Sequence, residues 1–164
     1  MKRREFIKFT SIGIIALNSS TVFAKAFTKE SLVILDEVYE VLFPKTSKMP
    51  SSKEFGALNF LVKNIAHKSF DNSDKTFIIQ GLKDFSSSFP NFMYLSKNEK
   101  KVLIEKIVNS NDYAQSWISK LVYYGIEAML GDPMYGGNKK QIGWNSVKHK
   151  AGYPRPKLKY GQKI

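Results

Sequence analysis

The stretch DYAQSWISKLVYYGIEAML, Asp112 to Leu130, decides how this chain is read. Trp117, Ile118, Leu121, Val122, Tyr124, Ile126, Met129 and Leu130 cover more of a helical circumference than the single apolar stripe of a surface helix, so the segment reads as a central helix packed on several sides. A central helix needs others around it, and the preceding segments supply them. In TKESLVILDEVYEVLFP, Leu32, Leu35, Val38 and Leu42 share one face, with Thr28 as N-cap and Pro44 as stop. Ser51 and Glu54 stand at capping-box spacing and open a second helix, with Phe55, Leu58, Leu61, Val62 and Ile65 on its apolar side, expected to end near Phe70. A third starts at Asn72 or Ser73 and carries Phe77, Ile78, Leu82 and Phe85 in spite of Gly81, and the serines at 86–88 with Pro90 end it. A fourth opens at Ser96, again boxed with Glu99, and presents Val102, Leu103, Ile107 and Val108.

No period-two strands, hairpin dipeptides within alternating runs or internal repeats interrupt this pattern. The expected architecture is all-α: one bundle-like domain of about five helices, its aromatic and aliphatic residues forming the core, closed by an irregular coil over residues 131–164. The length, 164 residues, suits a single core. A 43% apolar content with 12 Phe is that of a folding chain.

The net charge of +12 comes almost wholly from lysine, because Arg3, Arg4 and Arg155 are the only arginines. Bidentate reading of phosphates and guanine edges favours the planar guanidinium, so a lysine surface is a weak nucleic-acid signal and no nucleic-acid partner is expected. The absence of cysteine removes disulfides, thiolate zinc, cysteine-ligated iron–sulfur clusters and covalent haem attachment. His67 and His149 each lie beside Lys without a nearby carboxylate, so no metal site is expected. A redox cofactor, if the protein works with one, belongs to another chain.

Residues 1–26, MKRREFIKFTSIGIIALNSSTVFAKA, have the three parts of an export signal: a basic start, a short apolar run from Phe9 to Leu17, and small residues near Ala24 and Ala26, after either of which cleavage fits. The run is under half the roughly 20 residues a membrane-spanning helix needs. Arg3-Arg4-Glu5-Phe6-Ile7-Lys8 resembles the twin-arginine signal, with Arg3, Arg4, Phe6 and Lys8 at its defining positions, Ile7 where Leu is usual and Lys2 in place of Ser or Thr. That route, through the twin-arginine translocase, carries folded proteins to the periplasm, often with a cofactor already inserted. Since this chain has no evident cofactor site, the signal is read as serving a partner that rides out with it. Removing residues 1–26 leaves 21 basic and 13 acidic residues in the body, residues 27–164.

Beyond the central helix the sequence changes to GDPMYGGNKKQIGWNSVKHKAGYPRP, Gly131 to Pro156. Gly131 is a helix-ending glycine, Asp132-Pro133 sets an extended or turn geometry, and Gly136-Gly137-Asn138 tolerate positive φ. With no preceding strand, no G-x-x-x-x-G-K-[ST] and no G-x-G-x-x-G, a phosphate cradle does not fit. Glu127, on the apolar helix just before the coil, reads as a hydrogen-bonded carboxylate capping the amides of the following loop, in preference to an acid or base.

Asp132-Pro133-Met134-Tyr135-Gly136-Gly137-Asn138, then Gly143-Trp144 and Gly152-Tyr153-Pro154, resembles the signature of the gluconate 2-dehydrogenase subunit 3 family, in which a long helix leads into D-P-x-Y-G-G-N, then G-W, then a G-[FY]-P-like turn. The Leu42-Phe43-Pro44 helix end, the Phe55-Gly56-Ala57 helix start and the twin-arginine leader extend it more loosely over most of the chain. His149-Lys150-Ala151 before the last glycine is more basic than the family's pattern. The resemblance implies a small subunit, itself without a cofactor, of a periplasmic membrane-associated dehydrogenase. Its large subunit would carry FAD and oxidise a sugar or sugar acid, and a cytochrome c subunit with haem c would pass electrons to the respiratory chain. The small subunit would supply the export signal and assist assembly, and membrane association would come through its partners. The coil residues Asp132, Pro133, Tyr135, Gly136, Gly137, Asn138, Gly143, Trp144, Gly152 and Pro154 either face a partner or close the fold. Two other readings stay open: an enzyme using Glu127, Asp132 and His149, which lack a nucleophile–base spacing, and a periplasmic lysine-rich module for acidic lipid or polymer surfaces.

Overall fold

A computed structural model describes residues 27–155 and 157–158. The leader positions Arg3, Arg4, Phe6 and Lys8, with both cleavage positions, lie outside the described residues. Helix α1, Lys29–Leu42, begins at Thr28, whose side chain accepts from the Ser31 amide, and ends before Pro44. Then follow α2, Ser52–Phe55; α3, Ala57–Ile65; α4, Asn72–Ser88; α5, Lys97–Ser110; α6, Asp112–Leu130; and the single turn α7, Ile142–Ser146. Short 3₁₀ turns fall at Phe92–Tyr94, Pro133–Tyr135 and Lys139–Gln141. The described residues form one all-α domain without strands.

Helix α6 packs against every other α-helix, α1 to α5 and α7, so the stretch with the widest apolar coverage is the axis of the fold. Trp117, Ile118, Leu121, Tyr124, Ala128 and Met129 are its buried positions. They meet Leu35, Val38 and Tyr39 of α1, Leu61 and Ile65 of α3, and Ile78, Leu82 and Phe85 of α4 in one cluster. Gly81, a nominal weak point of α4, is where the Trp117 indole lies: a Cβ there would occupy the ring's space, and Trp117 Nε1 donates to the Ile78 carbonyl at 3.2 Å.

Several sequence expectations are corrected. The second helix is two helices ending at Ile65, not one reaching toward Phe70, because Gly56 between them takes φ +86° in the left-handed region and breaks the helical path. Both capping boxes form as read, Ser51 with Glu54 and Ser96 with Glu99. Val102 is 54% exposed and Ile104 is buried in its stead. The buried line of α5 runs through Lys100 and Ile104, and Val102 lies two residues, about 200°, round the helix from Lys100. Ile126 and Leu130, counted as core, are exposed on the side of α6 away from Tyr124 and Ala128.

Candidate functional site

The run from Gly131 onward folds back over the end of α6, and the reason lies in the helix itself. The last turn of any α-helix leaves carbonyls without intrahelical partners, and burying them unpaired is costly. Here each finds a donor, or a close approach, from the coil. Gly131 N–H donates to the Glu127 carbonyl at 2.7 Å and Asn138 N–H to that of Ala128 at 2.6 Å. Trp144 Nε1 donates to the Leu130 carbonyl at 2.6 Å, and Asn138 Nδ2 to that of Gly131 at 3.0 Å. The Met129 carbonyl lies against Gly143, so close that a Cβ there would overlap it, and Gly137 meets the Ala128 carbonyl in the same way. Asn138 Oδ1 then accepts from Gly143 N–H at 2.9 Å, tying the two halves of the coil together.

Asn138 is fully buried and takes a left-handed conformation, φ +42°, which asparagine tolerates better than most residues. Gly131 is extended, φ −73° and ψ 172°, so its value here is its lack of a side chain beside the Glu127 carbonyl and not a left-handed turn. The loop-capping role expected of Glu127 belongs to Asn138: the Glu127 carboxylate faces Tyr123, whose hydroxyl it holds above the ordinary phenol range by accepting its hydrogen bond.

The rest of the coil docks on α2 and α3. Gly136, φ +99°, lies against the stem of Lys63 and the amide of Asn59, while Gly56 lies against the stem of Lys139, so each left-handed glycine is roofed by a lysine from the opposite element. Asn59 and Asn64 donate through Nδ2 to the Gly136 and Tyr135 carbonyls. Tyr135 itself is 38% exposed.

Asp132 caps the turn at Pro133 by accepting from Met134 N–H at 3.0 Å through Oδ1, while Oδ2 pairs with Arg155 at 2.6 Å. The Arg155 guanidinium lies 4.8 Å from the Trp144 ring centroid, and the His149 ring packs edge-on to the same indole at 5.2 Å. Trp144 is therefore enclosed by Arg155, His149 and the end of α6, and is 6% exposed. Arg155 was missed as a site residue; that it is the one arginine outside the leader of a lysine-rich chain was the available signal. Gly152 and Pro154, by contrast, are exposed, and a Cβ added at Gly152 would meet nothing within 4 Å among the described residues.

The titratable candidates are thus engaged in structural contacts: Asp132 with Arg155 and a backbone amide, His149 with Trp144, Glu127 with Tyr123. His67 sits in the turn after α3 with Nδ1 2.7 Å from Ser69 Oγ. Among the described residues no group of three or more His, Asp or Glu is placed to hold a metal ion. A half-open groove of about 340 Å³ lies elsewhere, between α4, α5 and the start of α6, with Phe85, Phe89 and Trp117 in its lining and the Asp84–Tyr113 hydrogen bond, 3.1 Å, at its rim.

Compared with known proteins, residues 29–152 match the family model described as gluconate 2-dehydrogenase subunit 3, a span that includes the seven described α-helices and the capping coil as far as Gly152. No curated protein and no solved structure matches the chain.

Proposed function

The chain belongs to the gluconate 2-dehydrogenase subunit 3 family, and from that premise we propose that it is the non-catalytic small subunit of a periplasmic flavoprotein dehydrogenase acting on a sugar or sugar acid. Its role is to supply the export address and to assist assembly of the FAD-bearing large subunit, which hands electrons to a cytochrome c. Residues 1–26 serve as the twin-arginine signal and residues 27–164 as the subunit body. The observation that carries this reading is the use made of the signature coil. Its most polar members, Asp132 and Asn138, are occupied with the chain's own backbone and with Arg155, so what the coil contributes is shape. A chain of this kind aids catalysis by holding and delivering a partner that carries the chemistry.

The decisive measurement is a double substitution, Arg3→Lys with Arg4→Lys, followed by fractionation of both this chain and the flavoprotein. The escort role predicts that both remain in the cytoplasm and that periplasmic dehydrogenase activity disappears. Normal export of the flavoprotein beside a retained small subunit would overturn it.

A further inference from the structure

The charge of the body is not spread over it. Residues 27–132 hold thirteen basic and thirteen acidic residues, whereas residues 133–164 hold eight basic residues and no Asp or Glu. Residues 27–132 are therefore neutral, and the whole excess charge of the body lies in residues 133–164. Lys139, Lys140, Lys148, Lys150 and Lys157 are all exposed, and none of the five is in an ion pair among the described residues. Interleaved with them stand exposed apolar side chains: Val147 at 48%, Tyr153 at 89% and Leu158 at 43%.

A second observation points the same way. Lys140 and Lys148 occupy left-handed backbone, φ +55° and +58°, where glycine would sit without strain. Two of the four non-glycine residues with positive φ are thus long cations, Asn138 and Gln141 being the others, and such backbone strain is often kept where a side chain serves a function. The platform beneath them is firm, because Asn138, Trp144 and Arg155 fasten the segment to α6.

We propose that this cationic face, Lys140, Lys148, Lys150 and Lys157 with Tyr153 and Leu158, is a docking surface for anionic phospholipid headgroups, laying the end of α6 flat on a bilayer. The exposed cations of this face are all lysines, and this favours one of the candidate occupants. Protein interfaces are enriched in arginine and depleted in lysine, and their ion pairs favour a planar fork. A fluid layer of phosphodiesters attracts compact point charges without fixed geometry, and clusters of four to eight such residues are the sequence mark of that attraction. Tyrosine and leucine among the lysines suit the headgroup–acyl boundary. No helix among the described residues is long and apolar enough to cross a membrane. The inference goes beyond the escort role and does not depend on it, since the contact is a property of the folded body whatever its route of export.

The test is co-sedimentation of the purified full chain, alone and with its co-purifying large subunit, on vesicles of phosphatidylcholine with and without about a third phosphatidylglycerol. Binding is expected only with the anionic lipid and should fall steeply with salt. Lys140→Gln, Lys148→Gln, Lys150→Gln and Lys157→Gln combined should weaken it by at least about a hundredfold, taking roughly fivefold for each charge. Tyr153→Ser should weaken it with the lysines intact. Equal binding to neutral vesicles, or undiminished binding by the quadruple variant, would overturn the proposal. So would a quadruple variant that sheds the large subunit while the parent ignores vesicles, because the face would then belong to an acidic protein surface. An unchanged unfolding midpoint in the quadruple variant excludes a role limited to stabilising the negative end of α6.

Discussion

Asn138 Oδ1 accepts the Gly143 amide at 2.9 Å while its Nδ2 donates to the carbonyl that follows α6, so one buried carboxamide joins the two halves of the coil to the helix they cap. Its replacement by Ala leaves the Gly143 N–H and the Gly131 carbonyl without partners in a closed environment. The expected loss is about 2–4 kcal/mol, the desolvation cost of two buried polar groups. Asn138→Asp keeps the acceptor but turns a negative oxygen on the Gly131 carbonyl, and should cost at least as much at neutral pH. Urea unfolding of the three proteins measures this, and a change below about 1 kcal/mol for Asn138→Ala would show that the bonds are replaceable by water.

The glycines of the signature separate into two kinds, and the separation is measurable. A methyl at Gly143 would overlap the Met129 carbonyl, and one at Gly137 that of Ala128; both obstacles are backbone of the central helix and neither can yield as a side-chain tip would. Gly143→Ala should therefore destabilise by more than about 2 kcal/mol. Gly152→Ala meets nothing within 4 Å and should change stability by less than about 0.5 kcal/mol. If the two variants unfold at the same denaturant concentration, the close approach of the coil to α6 is wrong.

What was legible in the sequence follows from the range over which each feature is determined. The capping boxes at Ser51 and Ser96, the Thr28 cap and the span of α6 are local: side-chain spacing and chain-neighbour hydrogen bonds fix them, and the sequence reading placed them correctly. The break at Gly56 was not legible, because its left-handed turn is matched to the stem of Lys139, far along the chain. For the same reason the capping role fell to Glu127 in the sequence reading and to Asn138 in the structure. Glu127 is adjacent in sequence to the loop amides, whereas the Asn138 Oδ1 meets the Gly143 amide only once the coil has turned back. Tyr39, not counted with Leu35 and Val38, is fully buried, its hydroxyl oxygen included.

That oxygen supplies a further prediction. The Tyr39 hydroxyl is buried and has no hydrogen-bond partner among the described residues, and burial pushes its ionisation far above the ordinary phenol range. A buried donor without an acceptor costs stability that its removal returns. Tyr39→Phe keeps the ring in its contact with Phe43 and should be neutral or stabilising by about 1 kcal/mol, a rise of a few degrees in Tm by calorimetry. A loss of 2 kcal/mol or more, on the order of a native hydrogen bond to a charged group, would show that the hydroxyl has a partner in solution.

The acidic face of α1 yields opposite pH responses from adjacent residues. At Glu37 burial alone would raise the pKa, but the hydrogen bonds from Lys53 at 2.8 Å and Lys100 at 2.9 Å, with their charges, outweigh it and hold the carboxyl below its ordinary 4.5. Its ionised form therefore stabilises the fold above that value, and the contribution is lost as pH falls through and below it. At Asp36 burial dominates, reinforced by Glu40 and Glu37, and the carboxyl is raised above its ordinary 3.8 despite Lys53 and Lys139. Its ionisation opposes folding at neutral pH, a penalty removed on protonation. Glu37→Gln should cost about 2–4 kcal/mol at pH 7, since it leaves the Lys100 ammonium, 7% exposed, without its carboxylate. Asp36→Asn should raise stability at the same pH. Both differences should shrink as the pH falls from 7 and the parent's carboxylates become protonated. Urea midpoints of the three proteins across that range check the signs, and two variants that shift the same way at pH 7 would refute this division of roles.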